Sequence, residues 1–311
     1  MQGWIIIKII LVFYIVLKLI NMSVTRLNLA NPDDSDVKFK ISKFPDGQQS
    51  ITLDMVDSDL PNKITVSITS RLNSFKDLEI IIAANQALRE FSYVENVKLN
   101  VPYFLGARSD RKFEAGTCNY LKNVICPIIN SQNFSRVTVL DPHSDVLEAC
   151  LNNYHKHNNH RLVKDALTHI DNKDGAQNRI CLVSPDAGAY KKIFDVAKEF
   201  KIDNIVTATK VRDLKTGKIL HTEVPLAEAR YYDGIKFVIV DDICDGGRTF
   251  TEISKAIRSQ VPQAKIYLIV THGIFSAGFG DLNSQFEKIF STNSYGDFDN
   301  SQLLQFNVFK N

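Results

Sequence analysis

Short apolar runs alternate with segments of helical periodicity along most of the chain. Residues 63–68, 96–101 and 137–140 have the apolar, β-branched character of strands, and residues 75–91 carry apolar side chains at helical spacing. The second half repeats the pattern, with strands predicted over 179–183, 204–207, 237–240 and 265–270 and helices over 190–200 and 250–258. This alternation predicts an α/β fold built on mostly parallel sheets with helices on both faces.

Two local patterns divide the chain further. Residues 38–41 and 50–53 flank Phe44-Pro45-Asp46-Gly47, which predicts a turn between two short strands. The stretch 152–160 is rich in His and Asn and is interpreted as a linker. We therefore predict two domains, 22–160 and 161–311.

The first 21 residues differ from the rest. Residues 5–20 are almost all apolar, interrupted or flanked by Lys8 and Lys18, and are shorter than the ~20 residues that a spanning helix needs. No small-residue cleavage site follows, which disfavours a cleaved signal peptide. Two interpretations stay open: a short membrane anchor, or an upstream start with the functional protein beginning at Met22. The second is favoured, with a cytoplasmic location.

Composition and charge narrow the class of protein. The chain has 311 residues, 44% of them hydrophobic, with 37 basic and 35 acidic side chains and a net charge of +2. These values exclude wholesale disorder and a coiled coil, and they argue against a dedicated nucleic-acid binder. A local anion site stays open, because net charge hides local fields. Five scattered cysteines without a C-x-x-C pair indicate free thiols in a reducing compartment.

The most informative segment follows the strand at 237–240. It places acidic residues, a glycine pair and a threonine directly before a helix: Asp241, Asp242, Asp245, Gly246, Gly247, Arg248 and Thr249. Free N–H groups and the helix dipole attract phosphate at such a place, and glycine lets the backbone approach the anion closely. Carboxylates suit vicinal ribose hydroxyls. The segment indicates a sugar-phosphate site; the alternative is an acidic turn with a helix cap.

This segment resembles the PRPP-binding loop (PRPP is 5-phosphoribosyl diphosphate) shared by type I phosphoribosyltransferases and ribose-phosphate pyrophosphokinases, the PRPP synthetases. Further segments are similar to PRPP synthetase motifs and follow that family's order: FPDGQ at 44–48, PYFLGARSDRK at 102–112, DPHS at 141–144, VSPD at 183–186 and VTHGIF at 270–275. A phosphoribosyltransferase alone would show only the loop. The resemblance covers about residues 38–296 and implies two phosphoribosyltransferase-like domains.

The resemblance implies a reaction and its participants. PRPP synthetases move the β,γ-diphosphoryl group of ATP to the anomeric hydroxyl of ribose 5-phosphate, giving PRPP and AMP, with Mg²⁺ on the phosphates. It also implies a homo-oligomer, in which the loop at 44–48 serves a neighbouring subunit's site, and a role in nucleotide biosynthesis.

Residue roles are carried over from the matching motifs. Lys210 and Arg212 resemble the K-x-R start of the catalytic loop and would meet the migrating diphosphoryl group. The ATP-binding residues implied are Phe44, Asp46, Gln48, Arg108, Asp110 and His143. The ribose-phosphate residues implied are Asp186, Asp241, Asp242, Asp245, Gly246, Gly247, Arg248 and Thr249. The metal ligands implied are His143, Asp141 and Asp186.

The chain departs from the family pattern at several positions. Gly246 stands where the loop usually has Thr and Arg248 where it has Gly, which leaves a larger acceptor such as ADP-ribose open beside ribose 5-phosphate. Gln48 and Ser109 replace the usual Glu and Gln, and the usual final helix is not expected. Other interpretations are a PRPP-consuming phosphoribosyltransferase and a non-catalytic regulatory homologue. A metal cluster is the alternative to the linker for three histidines, His155, His157 and His160.

Overall fold

The computed structural model describes residues 24–55, 63–112, 114–174, 179–212 and 219–310. The apolar extension, residues 1–21, lies outside these ranges. Within them, no helix combines the length and the apolar character needed to cross a membrane. The chain forms two compact units: one comprises the residues up to 139, 144–156 and 309–311, and the other comprises 140–143 and 157–308. The short segment 140–143, with Asp141 and His143, therefore belongs to the second unit.

The first unit is built on a five-stranded sheet of order β1-β4-β5-β6-β7, in which β1–β4, β4–β5 and β5–β6 pair in parallel. Strands β2 and β3 form a separate antiparallel hairpin. The strands are β1 Val24–Asn28, β2 Lys38–Lys43, β3 Gln49–Asp54, β4 Ile64–Thr69, β5 Val94–Asn100, β6 Arg136–Leu140 and β7 Tyr154–His157. The helices are α1 Phe75–Arg89, α2 Cys126–Ser131 and α3 Val146–Cys150.

Helix α1 shows how local sequence sets an element. It begins after Ser74, whose hydroxyl accepts the Asp77 N–H while the Asp77 carboxylate accepts the Ser74 N–H. This capping box satisfies two of the N–H groups that a helix start leaves unpaired. The apolar face of α1 then enters the core of the first unit through Leu78, Ile81 and Leu88.

The second unit is built on a six-stranded, all-parallel sheet of order β15-β14-β13-β12-β8-β9. Its strands, with the separate hairpin β10–β11, are β8 Ile180–Ser184, β9 Ile205–Thr207, β10 Thr209–Arg212, β11 Ile219–Glu223, β12 Lys236–Cys244, β13 Lys265–Gly273, β14 Lys288–Thr292 and β15 Leu303–Phe306. The helices are α4 His160–Asp174, α5 Tyr190–Phe200, α6 Arg248–Gln260 and α7 Gly280–Gln285.

The two faces of this sheet bury separate cores. Along β12, Phe237 and Ile239 enter one core together with α6, whereas Val238 and Val240 enter the other together with α4 and α5. A strand buried on both faces is apolar throughout, which explains the continuous apolar run that the sequence shows here. The prediction of an α/β fold with mostly parallel sheets and flanking helices is confirmed.

Two sequence predictions about element boundaries need correction. Within the predicted linker 152–160, residues 154–157 form β7, an edge strand whose polar side chains suit partial exposure, and α4 begins at His160. The change from the first unit to the second nevertheless falls in this stretch, after Lys156. Strand β12 does not end at Val240 but continues through Cys244, because Asp241 stays in register with Val270 of β13. The strand, and not a turn, therefore holds the paired aspartates. Helix α4, the hairpin β10–β11, and strands β1, β14 and β15 were not predicted.

All five cysteines are free. Burial raises the pKa of Cys126, Cys181 and Cys244 to about 12, so these thiols stay protonated at neutral pH. Cys244 is wholly buried and packs in the sheet core, which agrees with its interpretation as a filler thiol beside the loop.

Candidate active site

The candidate residues of the second unit gather at one edge of its sheet. Because all six strands are parallel, their carboxyl ends share that edge, where β8 leads to Asp186 and β12 to the loop at 245–249. The sheet order reverses between β8 and β12, since the chain runs outward from β8 to β9 on one side and from β12 to β15 on the other. Open parallel sheets bind ligands in the crevice at such a switch point.

His143 and Asp242 form a hydrogen-bonded pair at this edge. Nδ1 of His143 lies 2.7 Å from Oδ2 of Asp242, and the Asp242 side chain is only 8% exposed. Burial raises the pKa of Asp242, but the bonds from His143 and the charge of Lys192 outweigh it and hold that pKa far below the usual range. Asp242 is therefore an acceptor, so Nδ1 of His143 carries the proton and donates. This bond orients the imidazole, and a ligand contact of the ring would be made through Nε2.

Asp141 lies deeper and is held by three donors. Its Oδ2 accepts from Thr271 Oγ1 at 2.6 Å and from Asn159 Nδ2 at 3.1 Å, and its Oδ1 lies 3.2 Å from Lys192 Nζ. The residue has a φ of 40°, a left-handed conformation that non-glycine residues adopt rarely. The three donors account for the persistence of this conformation, and they occupy both carboxylate oxygens.

His272 fastens the same segment from the end of β13. Its Nε2 lies 3.0 Å from the carbonyl of Leu140 and its Nδ1 lies 2.7 Å from Ser294 Oγ. Because a carbonyl only accepts, Nε2 carries the proton, and burial lowers the pKa of His272 so that the ring stays neutral. His272 is thus a neutral structural link, although it stands in the VTHGIF segment that the family resemblance singled out.

The paired aspartates differ in environment. Asp241 is half-buried, and burial followed by the charge of Asp242 raises its pKa well above the usual value. Its Oδ1 accepts the backbone N–H of Asp242 at 2.9 Å. Neighbouring carboxylates whose pKa values move apart in this way serve different roles. Asp242 is a carboxylate held in place by its partners. Asp241 is the carboxyl group suited to form hydrogen bonds with a ligand hydroxyl.

The loop before α6 has the geometry of an anion cradle. Gly247 has a φ of 80° and occupies the N-cap position of α6, where the structure describes no side chain that caps the helix. The first N–H groups of a helix have no partner within the helix, so this start offers donors to an anion. Arg248 is exposed in the first turn, Thr249 is half-buried beside it, and Asp245 accepts from Ser276 Oγ at 2.5 Å.

The two loop glycines make a matched test of this geometry. A Cβ on Gly247 would lie 2.8 Å from Leu282 Cδ2 in a backbone conformation that favours glycine, whereas a Cβ on Gly246 would meet Ala277 at an ordinary 3.7 Å. We expect Gly247→Ala to lower the unfolding free energy by about 1–3 kcal/mol. Gly246→Ala should change it by less than about 0.5 kcal/mol. Urea unfolding of both variants measures the difference, and equal losses would show that the loop conformation differs.

Asp186 stands at the end of β8, in the turn before α5. It is exposed, and its Oδ1 accepts the backbone N–H of Ala189 at 3.0 Å. The Ser184 hydroxyl bonds the Asp186 carbonyl at 2.8 Å and stiffens the same turn. An exposed carboxylate at the strand end remains accessible to a metal ion or a ribose hydroxyl.

The candidate adenine contacts lie in the first unit, at the tip of the β2–β3 hairpin. Phe44 is 53% exposed, an unusual position for a large apolar ring. Asp46 accepts the N–H of Gln48 at 3.1 Å, and Gly47 supports the turn with a φ of 100°. The predicted turn is confirmed, and it presents these side chains outward.

Arg108 and Asp110 also belong to the first unit and differ sharply in burial. Arg108 is exposed, whereas Asp110 is 5% exposed and lies 3.2 Å from Nε of Arg111. The Asp110 carbonyl accepts from Asn119 at 2.5 Å. Arg108 is thus placed to reach a ligand, while Asp110 stabilises the segment that carries it. A direct contact of Asp110 with ATP stays a prediction.

Lys210 and Arg212 lie in β10, which pairs with β11 in an antiparallel hairpin. Their side chains are outside what the structure describes. The register of the hairpin shifts between Val211 and Arg212, and the catalytic role of Lys210 and Arg212 stays a prediction.

The side chains at this edge are better suited to a magnesium ion that is bound mainly by phosphate than to one bound mainly by the protein. Among the described residues, no group of three or more His, Cys, Asp or Glu side chains could hold a metal ion. Mg²⁺ bound to nucleotide needs only one or two protein ligands. His143 through Nε2 and the exposed Asp186 fit that need, whereas the carboxylate of Asp141 is already engaged by three donors. A ligand role for Asp141 stays a prediction that would require Lys192 to move.

Sequence reasoning assigned no role to four residues that build this edge, although two of them stand in the VTHGIF segment. They are Lys192, Asn159, Thr271 and His272, which engage Asp141, Asp242 or the Leu140 carbonyl. Only the position of Lys192 in the first turn of a helix after a strand-end aspartate could have drawn attention to it. The other three are polar residues whose partners lie far away in sequence.

The chain is similar to known proteins along most of its length. A phosphoribosyl transferase domain matches residues 151–277, which covers β8, β12, the loop and β13. Ribose-phosphate pyrophosphokinases of Marinomonas sp. and Thermoplasma acidophilum are 27% and 26% identical, over 76% and 75% of this chain and 71% and 74% of theirs. The crystal structure of phosphoribosylpyrophosphate synthetase from Mycobacterium smegmatis matches with a TM-score of 0.73 at 16% identity, covering 89% of this chain and 88% of that one.

The class of protein follows from the fold and the domain match: an α/β protein whose residues 151–277 are similar to a phosphoribosyl transferase domain. Two named ribose-phosphate pyrophosphokinases are similar to the chain across both units, and the synthetase crystal structure shares its fold. The resemblance to the PRPP synthetase family, and with it the prediction of an enzyme of that class, is confirmed.

Proposed function

We propose that the protein is an ATP- and Mg²⁺-dependent diphosphotransferase that moves the β,γ-diphosphoryl group of ATP to the anomeric hydroxyl of ribose 5-phosphate, giving PRPP and AMP. The observation that carries the proposal is the convergence of the anion-binding loop before α6 with the His143–Asp242 pair at the carboxyl edge of the second sheet. The loop suits a sugar phosphate, and the His143–Asp242 pair suits a nucleotide with its metal ion.

The residues divide the chemistry between them. The N–H groups at the start of α6, with Arg248 and Thr249, hold the 5-phosphate of the ribose. Asp241 bonds the ribose hydroxyls, and Asp242 acts through His143. His143 and Asp186 would hold Mg²⁺ together with the nucleotide, and the ion would supply positive charge that neutralises the phosphates.

The remaining candidate residues serve the nucleotide and the migrating group. Phe44 stacks on adenine while Asp46 and Gln48 bond its edge, and Arg108 pairs with phosphate or adenine, with Asp110 behind it. Lys210 and Arg212 stabilise the negative charge on the migrating group, since such transfers depend on positioning and on charge stabilisation. Because the hairpin tip faces outward, these adenine contacts are proposed to serve a neighbouring subunit in a homo-oligomer.

ADP-ribose is the second candidate acceptor, and one observation favours it. Arg248 is exposed in the first turn of α6, and with this acceptor its guanidinium would pair with the added phosphate instead of the 5-phosphate.

An AMP-release assay with defined acceptors tests the proposed function. Protein beginning at Met22 is incubated with ATP and Mg²⁺, and with ribose 5-phosphate, ADP-ribose or no acceptor. We expect AMP in amounts equal to the diphosphorylated product, with ribose 5-phosphate the better acceptor. If AMP forms with neither ribose 5-phosphate nor ADP-ribose, the proposal is wrong. Consumption of PRPP that depends on a purine or pyrimidine base would instead identify a phosphoribosyltransferase.

A further inference from the structure

The ammonium group of Lys192 lies between two buried carboxylates. Its Nζ is 3.2 Å from Oδ1 of Asp141 and 3.9 Å from Oδ1 of Asp242, and it donates to the Pro142 carbonyl at 2.9 Å. The two aspartate side chains are only 5% and 8% exposed. Carboxylates buried this far from water need a counter-charge, and here a single side chain supplies it to both.

The cluster pairs opposite charges. Lysine carries a positive charge at neutral pH and aspartate a negative one, so the ammonium of Lys192 faces carboxylates on two sides.

The geometry around Lys192 excludes a second cation at the same place. Mg²⁺ requires oxygen ligands at about 2.0–2.1 Å in octahedral geometry. The Oδ1 atoms of Asp141 and Asp242 face the ammonium, and Oδ2 of Asp141 accepts from Thr271 and Asn159. A divalent ion between the two carboxylates would have to displace Lys192.

We propose that Lys192 is a positioning residue that takes the place a divalent ion would occupy between Asp141 and Asp242. It holds the segment 140–143 on strand β12 and so fixes His143 through Asp242. One consequence rests on the proposed function: the metal ion that accompanies the nucleotide binds at His143 and Asp186, and not at Asp141.

Substitution of Lys192 in the full chain tests the proposal without any measurement of turnover. Mn²⁺, which suits oxygen ligands, is titrated calorimetrically in the absence of nucleotide. We expect weak binding to the unsubstituted chain and a gain in affinity of about tenfold or more for Lys192→Met, which removes the ammonium but keeps an unbranched chain. Mn²⁺ should also raise the Tm of Lys192→Met and leave that of the unsubstituted chain unchanged.

Three controls separate the ammonium from its surroundings. Lys192→Arg keeps the charge and should not gain Mn²⁺ binding, and Lys191→Met makes the same change on the exposed neighbour and should behave like the unsubstituted chain. Adding Asp141→Asn to Lys192→Met should abolish the gain.

Two results would overturn the proposal. The first is Mn²⁺ binding by Lys192→Met no tighter than that of the unsubstituted chain. The second is tight Mn²⁺ binding by the unsubstituted chain without nucleotide, if Asp141→Asn abolishes that binding. This result is decisive even if Lys192→Met does not fold. All of these outcomes are independent of whether the protein makes PRPP.

Discussion

Lys210→Ala is expected to lower the rate of diphosphoryl transfer by about 10²- to 10³-fold. By resemblance, Lys210 meets the migrating diphosphoryl group, whose negative charge is stabilised by a preorganised cation. The residue lies on β10, in a hairpin separate from the six-stranded sheet, so the fold does not depend on it. The measurement is AMP formation at saturating ATP and ribose 5-phosphate, with a Tm to show that the variant is folded.

A matched lysine variant controls for the loss of one charge. Lys198 is exposed on α5, and Lys198→Ala should leave both rate and Tm unchanged. Lys210→Arg keeps the charge but changes its shape, and should retain more activity than the alanine variant. Near-normal turnover by Lys210→Ala would remove Lys210 from the mechanism.

The sequence predicts the fold where local pattern and tertiary environment agree. Helix α5 begins and ends where the pattern places it, because its apolar residues, such as Ile193 and Val196, recur at helical spacing and face one core. Strand β7 was missed because an edge strand needs few apolar residues, so its His- and Lys-containing sequence resembles a loop.

The candidate site divides in the same way. The loop at 245–249 could be predicted because glycine and hydroxyl residues at a strand-to-helix turn have a local physical meaning. The charge network could not, because Lys192 meets Asp141 and Asp242 across separations of 51 and 50 residues that no spacing rule connects. Nor does the sequence show that Asp141 adopts a left-handed conformation, since only the closed network of donors maintains it.

The last prediction compares the two adjacent aspartates, Asp241 and Asp242, which share a side-chain type but should respond with opposite signs. Asp242→Asn removes the anion that faces His143 and Lys192, and is expected to lower the unfolding free energy at pH 7 by about 1–3 kcal/mol, because His143 loses its charged acceptor and Lys192 keeps only Asp141. Asp241→Asn should raise that free energy, because its folded-state pKa is elevated and its ionisation at neutral pH opposes folding. Both variants should lose activity.

The pH dependence separates the two aspartates again. The depressed pKa of Asp242 means that its contribution to stability is present above about pH 4 and is lost as the pH falls below it. The elevated pKa of Asp241 means that its unfavourable contribution disappears as the pH falls and the carboxyl protonates. The test is urea unfolding of the unsubstituted chain and the two asparagine variants between pH 3 and 8. As the pH falls, the loss of unfolding free energy in Asp242→Asn should become smaller, and so should the gain in Asp241→Asn. Similar deficits for both variants at pH 7 would mean that the carboxylates share one environment, and the assignment of Asp242 to His143 and of Asp241 to the ligand would then be wrong.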